Sequence, residues 1–494
     1  MRMVDTHPAP LVETLVDLLG DFRGAFSQDR VFQRSCSLVL GSSLSFSRKT
    51  MTQLLTSLGQ VNEDWTAAYR LLSKKRFDPD RVADLTLSAT LPHVAADQPY
   101  QLVVDVTHVP RSSLKMPGTS WTRAPGTAAW ARGFSRAQRF ENVSWLTPVQ
   151  EGYSRAIPLK WIHAPSAKAV PTQEDPCREW EAASAAVKWV RKRLDEEGRP
   201  DQKILIFADG AYDVNTLWTN LPPQTTLVVR CSKNRKLFDL PKTKDVTTRG
   251  ARRKYGPRTL SPEEMRHEQT AWTTLDIPVR GKSVHLKCRV VGPLLVERAP
   301  DRPVFLLLIK GYHGTIAAKK KRKKAKSPQG TVIKHKTRRR RSRPPCQYLV
   351  NAVQQDGLWK LPFPVRDLVI GTWHRWEVEV CHREIKTSFG LGEMQCWSKL
   401  GSTNSVQFMA WAYSMLVLAG YKSCNGLIGQ LGQRAIWWPG AKRWSLTTLL
   451  QRYRAELWGL GQFKPVYPRI PDKRQLIPRC RDTLSNIAIG CARG

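Results

Sequence analysis

The sequence predicts an α/β fold with helical ends and a strand-rich insertion, on three observations. Apolar residues recur at helical spacing through residues 1–97. Between 98 and 239 short apolar runs of strand length flank one long helix. From about Leu240 the helical pattern lapses into alternation suited to antiparallel strands, and helices return near 366.

At 494 residues, 41% of them hydrophobic and 18 of them tryptophan, the chain can fold around a real core. Lysine and arginine number 79 against 41 acids, a formal charge of +38. Residues 319–343 carry 14 lysines and arginines and no acid, yet +24 remains without them. The excess therefore belongs to the folded parts, and a field of that sign favours a polyanion, nucleic acid before any other. Ten scattered cysteines form no C-x-x-C pair and have no partner at zinc spacing. That argues against a structural zinc or a disulfide scaffold and for a reducing cytoplasm. The first residues lack the apolar core of a signal peptide, so none is expected. The longest apolar stretch, 408–418, is too short to span a bilayer and reads as a buried helix over 405–420.

The elements follow in order. Residues 1–97 predict short helices punctuated by Ser, Asn, Asp and Pro. Ser47, Arg48, Lys49 and Thr50 open one of them, with Arg70, Lys74, Lys75 and Arg76 beyond. This fits a small DNA-binding bundle, though a plain bundle with a solvated basic face fits nearly as well. QLVVDVTHV reads as a buried strand whose apolar run ends at Asp105. A Ser-, Pro-, Gly- and Arg-rich loop is expected over 111–139, then strands at ENVSWLTPV and SRAIPLKWIHAP. The helix DPCREWEAASAAVKWVRKRLDEEG comes next, with Asp175 as cap, Pro176 at the first helical position and Gly198 at the end. Strands KILIFADGAYD and TLVVRCSK close this part, and the order of three strands, helix, strand is that of an RNase H-like sheet. The run within 319–343 reads as a solvated loop or an arm that grips nucleic acid. A helix at about 366–388 and a last one at RWSLTTLLQRYRAELW complete the chain.

The helix near 373–388 holds the chemistry. At about 100° per residue, Arg375, Glu379, His382, Arg383 and Lys386 share one arc, while Trp373, Trp376 and Val380 form an adjoining face expected to bury. Glu377 and Glu384 rotate well away from Glu379, leaving one carboxylate among basic side chains. Alone, that is a surface helix with i,i+4 ion pairs worth a few tenths of a kcal/mol each. Asp105 and Asp209, each closing an apolar strand, change the balance, because a carboxylate there projects into the crevice at a sheet's carboxyl end. Each aspartate alone could start a turn or cap a helix, as Asp213 is expected to do. Together the three carboxylates are hard oxygen ligands suited to Mg²⁺ or Mn²⁺. Two such ions roughly 4 Å apart activate a water or hydroxyl and steady the leaving oxygen of a phosphodiester. Arg375, Arg383 and Lys386 are then the DNA-binding cations beside Glu379.

The segments VVDVTHVPRSS, LIFADGAYD and RWEVEVCHREIKTSFGLGEMQCWS resemble the three motif regions of DDE transposases of bacterial insertion sequences. Arg375, Glu379 and Lys386 match the spacing of the group with a Tyr-Arg-Glu-Lys signature, with Thr372 at the tyrosine position. The resemblance implies an RNase H-like catalytic core in which Asp105, Asp209 and Glu379 are catalytic and hold two Mg²⁺ or Mn²⁺ ions. It implies cleavage at transposon ends with strand transfer into a target, by a cytoplasmic, nucleoid-associated homodimer on double-stranded DNA. In related elements a tryptophan of a β-rich insertion stacks on a flipped base, and Trp272 is the candidate here. The expected division is a helical DNA-binding domain at 1–97, core at 98–239, β-rich insertion at 240–345, core again at 346–425 and a helical tail at 426–494. The alternatives are a domesticated DNA-binding protein without the chemistry and a structure-selective nuclease on the same fold. Intact carboxylates at all three positions favour the transposase.

Overall fold

A computed structural model describes residues 10–113, 116–123, 133–169, 176–241, 253–310, 346–429 and 442–459. Five α-helices open the described residues: α1 (Pro10–Gly20), α2 (Asp29–Leu44), α3 (Met51–Ser57), α4 (Thr66–Ser73) and α5 (Pro79–Thr90). Their starts follow from local chemistry. The Thr50 hydroxyl accepts from the Gln53 N–H at 3.2 Å, and Asp78 Oδ1 accepts from the N–H groups of Asp80 and Arg81, with Pro79 in the first turn. These helices share their core with the far end of the chain. The N–H groups of Leu11 and Val12 donate to Glu456 Oε2 at 2.9 and 3.0 Å, and the rings of Phe22 and Phe26 pack on Trp411. Lys49, expected on a basic face, is buried and donates its ammonium to the Ser45 carbonyl. Arg70, Lys74 and Lys75 are exposed.

The central segment supplies β1 (Tyr100–Pro110), β2 (Thr119–Arg123), β3 (Phe134–Leu146), β4 (Ala156–His163), α6 (Glu179–Glu196), β5 (Ile204–Ala208), α7 (Asn215–Thr219) and β6 (Thr225–Arg230). The expected loop at 111–139 is shorter than its composition indicated, because β2 and the start of β3 pair within it, Thr119 opposite Gln138. Helix α6 begins at Glu179, not at Pro176. Arg178 takes the cap position and Glu181 folds back onto its N–H at 2.7 Å, so the cap expected of Asp175 does not apply, and Asp175 itself lies outside the described residues. Gly198 closes the helix with φ +73°, the left-handed conformation that glycine adopts without strain.

The strand-rich segment follows with β7 (Leu237–Phe238), α8 (Pro262–His267), β8 (Thr273–Val279), β9 (Lys282–Val296), β10 (Ala299–Lys310) and β11 (Cys346–Asn351), then a small hairpin of β12 (Val353–Gln355) and β13 (Leu358–Lys360). One mixed sheet runs in the order β2-β3-β1-β5-β6-β11-β10-β9-β7, with β4 on β3 and β8 on β9. Within it β1, β5 and β6 are parallel, and β3 is antiparallel to β1. Strand β11 pairs with β6 through Tyr348 and Arg230, so the strand-rich segment extends the central sheet without a break. The basic run at 319–343 lies outside the described residues.

Helices α9 (Val365–His374), α10 (Glu377–Ser388), α11 (Lys399–Ser423) and α12 (Leu446–Gly459) complete the described chain. The single helix expected at 366–388 is two. Its ladder tightens at Arg375 and Trp376, where Val378 N–H bonds to the Arg375 carbonyl and Glu379 N–H to the Trp376 carbonyl, three residues back. Helix α11 is apolar on nearly every side and runs through the core, and no helix among the described residues is long and apolar enough to cross a membrane. Helix α9 crosses β5 at Gly371, where a β-carbon would lie 1.8 Å from Phe207 Cζ. That close approach seats the helix pair against the strand leading to Asp209. Gly371→Ala is expected to lower stability by about 1–3 kcal/mol through overpacking, measured by chemical denaturation.

Candidate active site at the end of the parallel strands

The parallel ladder between β1 and β5 places two aspartates side by side. Its last register pair is Val103 with Phe207, and two residues further along the two chains stand Asp105 and Asp209. Asp105 does not end its strand, because β1 continues to Pro110 along β3. What ends is the pairing with β5, and Asp105 sits where that edge of β1 opens. Asp209 precedes a 3₁₀ turn over Gly210–Tyr212 but makes no capping hydrogen bond, so turn formation does not consume its carboxylate.

Helix α10 supplies the third carboxylate. Arg375 Nη2 donates to Glu379 Oε1 at 2.7 Å, the i,i+4 contact that helical spacing anticipates. His382, one turn on, directs Nδ1 toward Asp105 Oδ2 at 3.8 Å. Glu377 and Glu384 turn away as expected, to Arg443 at 2.6 Å and to Arg155 respectively, and Tyr413 also donates to Glu384. Two expectations for this helix need correction. His382 is not one of its cations: burial, with Lys386 adding to it, pulls the imidazole down to about 3, so it is neutral. Trp376 does not bury. It is 51% exposed and lines an open cleft with Trp373, Tyr153 and Arg280, because the tightened turn rotates it off the core face.

Charge links these groups. Burial pushes the Asp105 carboxyl up to about 7; Arg375 opposes that shift, and the charges of Glu379 and Asp209 add to it. Burial pulls Arg375 down, but the Glu379 hydrogen bond and the charges of Glu379, Asp209 and Asp105 hold it above its ordinary value. One guanidinium thus stands in the field of all three carboxylates. Burial lowers Lys386, and the Asp105 charge opposes that shift. Arg383 is exposed. By donor chemistry Asp105, Asp209 and Glu379 fit a hard divalent cation. In the present arrangement, no three His, Cys, Asp or Glu among the described residues stand close enough to hold one ion.

Asp213 is not a helix cap. Its carboxylate accepts from the Trp218 indole and pairs with Arg235, both at 3.1 Å, while Val214 occupies the cap position of α7. Trp272 is half-buried under the Lys310 ammonium, which lies 4.1 Å from the ring centroid. Sequence reasoning missed Glu141 and Asn142 of β3, both fully buried, and Tyr212. Asn142 Nδ2 donates to His382 Nε2 at 3.0 Å, and Tyr212 donates to Glu141 Oε2 at 2.7 Å. The available signal was an acid and an amide side by side between Phe140 and Val143 of β3.

Comparison with protein families matches residues 22–289 to the model described as DDE superfamily endonuclease. That span contains Asp105 and Asp209 and ends before Glu379. Comparison with curated proteins gives no match.

The Asp105 shift sets a pH dependence. Its folded-state pKa of about 7 lies above the ordinary 3.8, so its contribution to stability is full below about pH 4 and is lost as pH rises through about 7. The melting temperature of the metal-free protein is expected to fall across that window. Asp105→Asn should flatten the fall and melt higher than the parent at pH 8, as read by scanning calorimetry.

Proposed function

The chain belongs to the DDE superfamily endonuclease family, and on that premise we propose that it is a transposase that cuts DNA at the ends of its own element and joins them to a target. Family membership makes it an enzyme of the nuclease and transposase type that acts on DNA. The finer reading rests on one observation: Asp105 and Asp209 stand level on adjacent parallel strands, and the Asp105 carboxyl feels the charges of both Asp209 and Glu379. The order β4-β3-β1-β5-β6, with α6 joining β4 to β5, supports an RNase H-like core. The antiparallel strands from β7 to β10 support a β-rich insertion ahead of the glutamate helix.

In this reading Asp105, Asp209 and Glu379 hold two Mg²⁺ or Mn²⁺ ions. When bound, those ions supply an activated water or 3′-hydroxyl and stabilise the leaving oxygen of the phosphodiester. The chain's own residues bind and orient the DNA. Arg383, exposed on α10, meets backbone phosphate, and Lys386 extends the same positive edge toward Asp105. In this reading Arg375, hydrogen-bonded to Glu379, neutralises the carboxylates until substrate arrives and then turns to phosphate. Thr372, buried and donating to the Val369 carbonyl at 2.8 Å, does not replace the signature tyrosine as a DNA contact. The net charge of +38 suits a homodimer gripping two DNA ends, with the run at 319–343 as a further grip. The expected domain boundaries, the Tyr-Arg-Glu-Lys grouping and a nucleoid-associated cytoplasmic location belong to the same proposal.

The test uses the purified chain and DNA carrying the flanking ends of its own element. Cleavage is expected with Mg²⁺ or Mn²⁺ and is expected to disappear in Asp105→Asn and Glu379→Gln, while both variants still shift the DNA in a gel. An Asp105→Asn protein that cuts as fast as the parent removes the proposed centre.

A further inference from the structure

Strand β3 touches every element that carries one of the three carboxylates. Asn142 is the register partner of Asp105, and Glu141 is the partner of Val106. Neighbours on a strand point to opposite faces, whereas antiparallel partners share a face. Asn142 therefore lies on the Asp105 side and Glu141 on the other, where Arg139 of the same strand pairs with Glu179 of α6 at 2.9 Å.

Each side chain then reaches a different element. Asn142 Nδ2 carries only hydrogens, so its 3.0 Å contact makes His382 Nε2 the acceptor and leaves the ring hydrogen on Nδ1, facing Asp105. Ser144 donates to Asn142 Oδ1 at 3.1 Å. His382 sits one turn after Glu379 on α10, so the contact holds that turn against β3. On the opposite face Tyr212 donates to Glu141 Oε2 at 2.7 Å. Tyr212 closes the 3₁₀ turn that begins at Asp209, its N–H bonded to the Asp209 carbonyl at 3.1 Å. Glu141 is fully buried and its Oε1 has no hydrogen-bond partner. An acid left half-satisfied in a strand core is costly, and stability alone would favour an apolar residue there.

We propose that Glu141 and Asn142 are positioning residues, a two-residue brace that holds Asp209 through Tyr212 and Glu379 through His382, in register with Asp105 on the neighbouring strand. The proposal rests on the carboxylate centre put forward above. Neither residue touches substrate. The brace acts by fixing where three mutually repelling carboxylates stand, so its loss is felt as weakened ion binding and a slower chemical step, not as weakened DNA binding.

The full-length chain provides the test, with Mn²⁺ as probe. Tyr212→Phe removes one hydroxyl from one arm, and Asn142→Ala removes the other arm. Each is expected to weaken Mn²⁺ binding by calorimetry about tenfold or more. Each should slow single-turnover cleavage at saturating DNA by a similar factor, with metal-free DNA affinity unchanged. Glu141→Ala should behave like Tyr212→Phe, and Glu141→Gln, which keeps an oxygen for Tyr212, should recover most of the loss. Unchanged Mn²⁺ affinity in both Tyr212→Phe and Asn142→Ala overturns the brace, as does a Glu141→Gln protein no better than Glu141→Ala. Asp105→Asn run in parallel separates the two claims. If it abolishes Mn²⁺ binding while the arm variants do not, the brace alone fails; if it too binds Mn²⁺ normally, the carboxylate centre falls with it.

Discussion

The structure depends on holding two aspartates level where a buried parallel ladder ends. Parallel pairing of β1 with β5 stops at Val103 and Phe207, and two residues further along each strand stands an aspartate. Glu379 approaches the same place from α10. Burial above all raises the Asp105 carboxyl, Arg375 opposes that shift, and the charges of Glu379 and Asp209 add to it. A folded chain tolerates such a cluster only where something positive compensates it or where rigid neighbours forbid it to spread.

Both devices are present. Arg375 supplies compensation from the turn that separates α9 from α10, close enough to hydrogen-bond Glu379 and to feel the other two. Rigidity comes from packing. Gly371 allows α9 to rest directly on Phe207, α11 fills the interior beneath, and the opening helices bury against that same helix through Phe22, Phe26 and Trp411. The strand-rich segment is not a loose appendage, since β11 joins it to β6 by main-chain hydrogen bonds. Its β8–β9 turn also bonds to the core, with the N–H groups of Arg280 and Gly281 on the carbonyls of Gly152 and Glu151 at 2.9 and 2.8 Å.

Patterning made the elements legible and tertiary geometry decided the rest. Apolar runs located β1, the second half of β3, β4, β5 and α11 because burial on both faces of a sheet, or all around a helix, leaves a compositional mark. Helical arithmetic placed Arg375 beside Glu379 because one tightened turn does not undo an i,i+4 contact. It failed for Trp376, whose direction depends on that turn, and for His382, whose charge depends on burial that no local pattern records. Asp175 and Pro176 looked like a helix start by residue type, but Arg178 and Glu181 formed the cap, since several residues in a row could have done so. Glu141 and Asn142 went unread because their partners, Tyr212 and His382 respectively, lie 71 and 240 positions away.

The measurement that bears most directly on this account is anomalous diffraction at the manganese edge from crystals of the full chain grown with Mn²⁺. The account predicts a peak at roughly 2.0–2.2 Å from carboxylate oxygens, touching Asp105 and shared with Asp209 or Glu379, with Arg375 withdrawn from Glu379. Ordered manganese elsewhere, with Asp105 bare and Arg375 still bonded to Glu379, would contradict it.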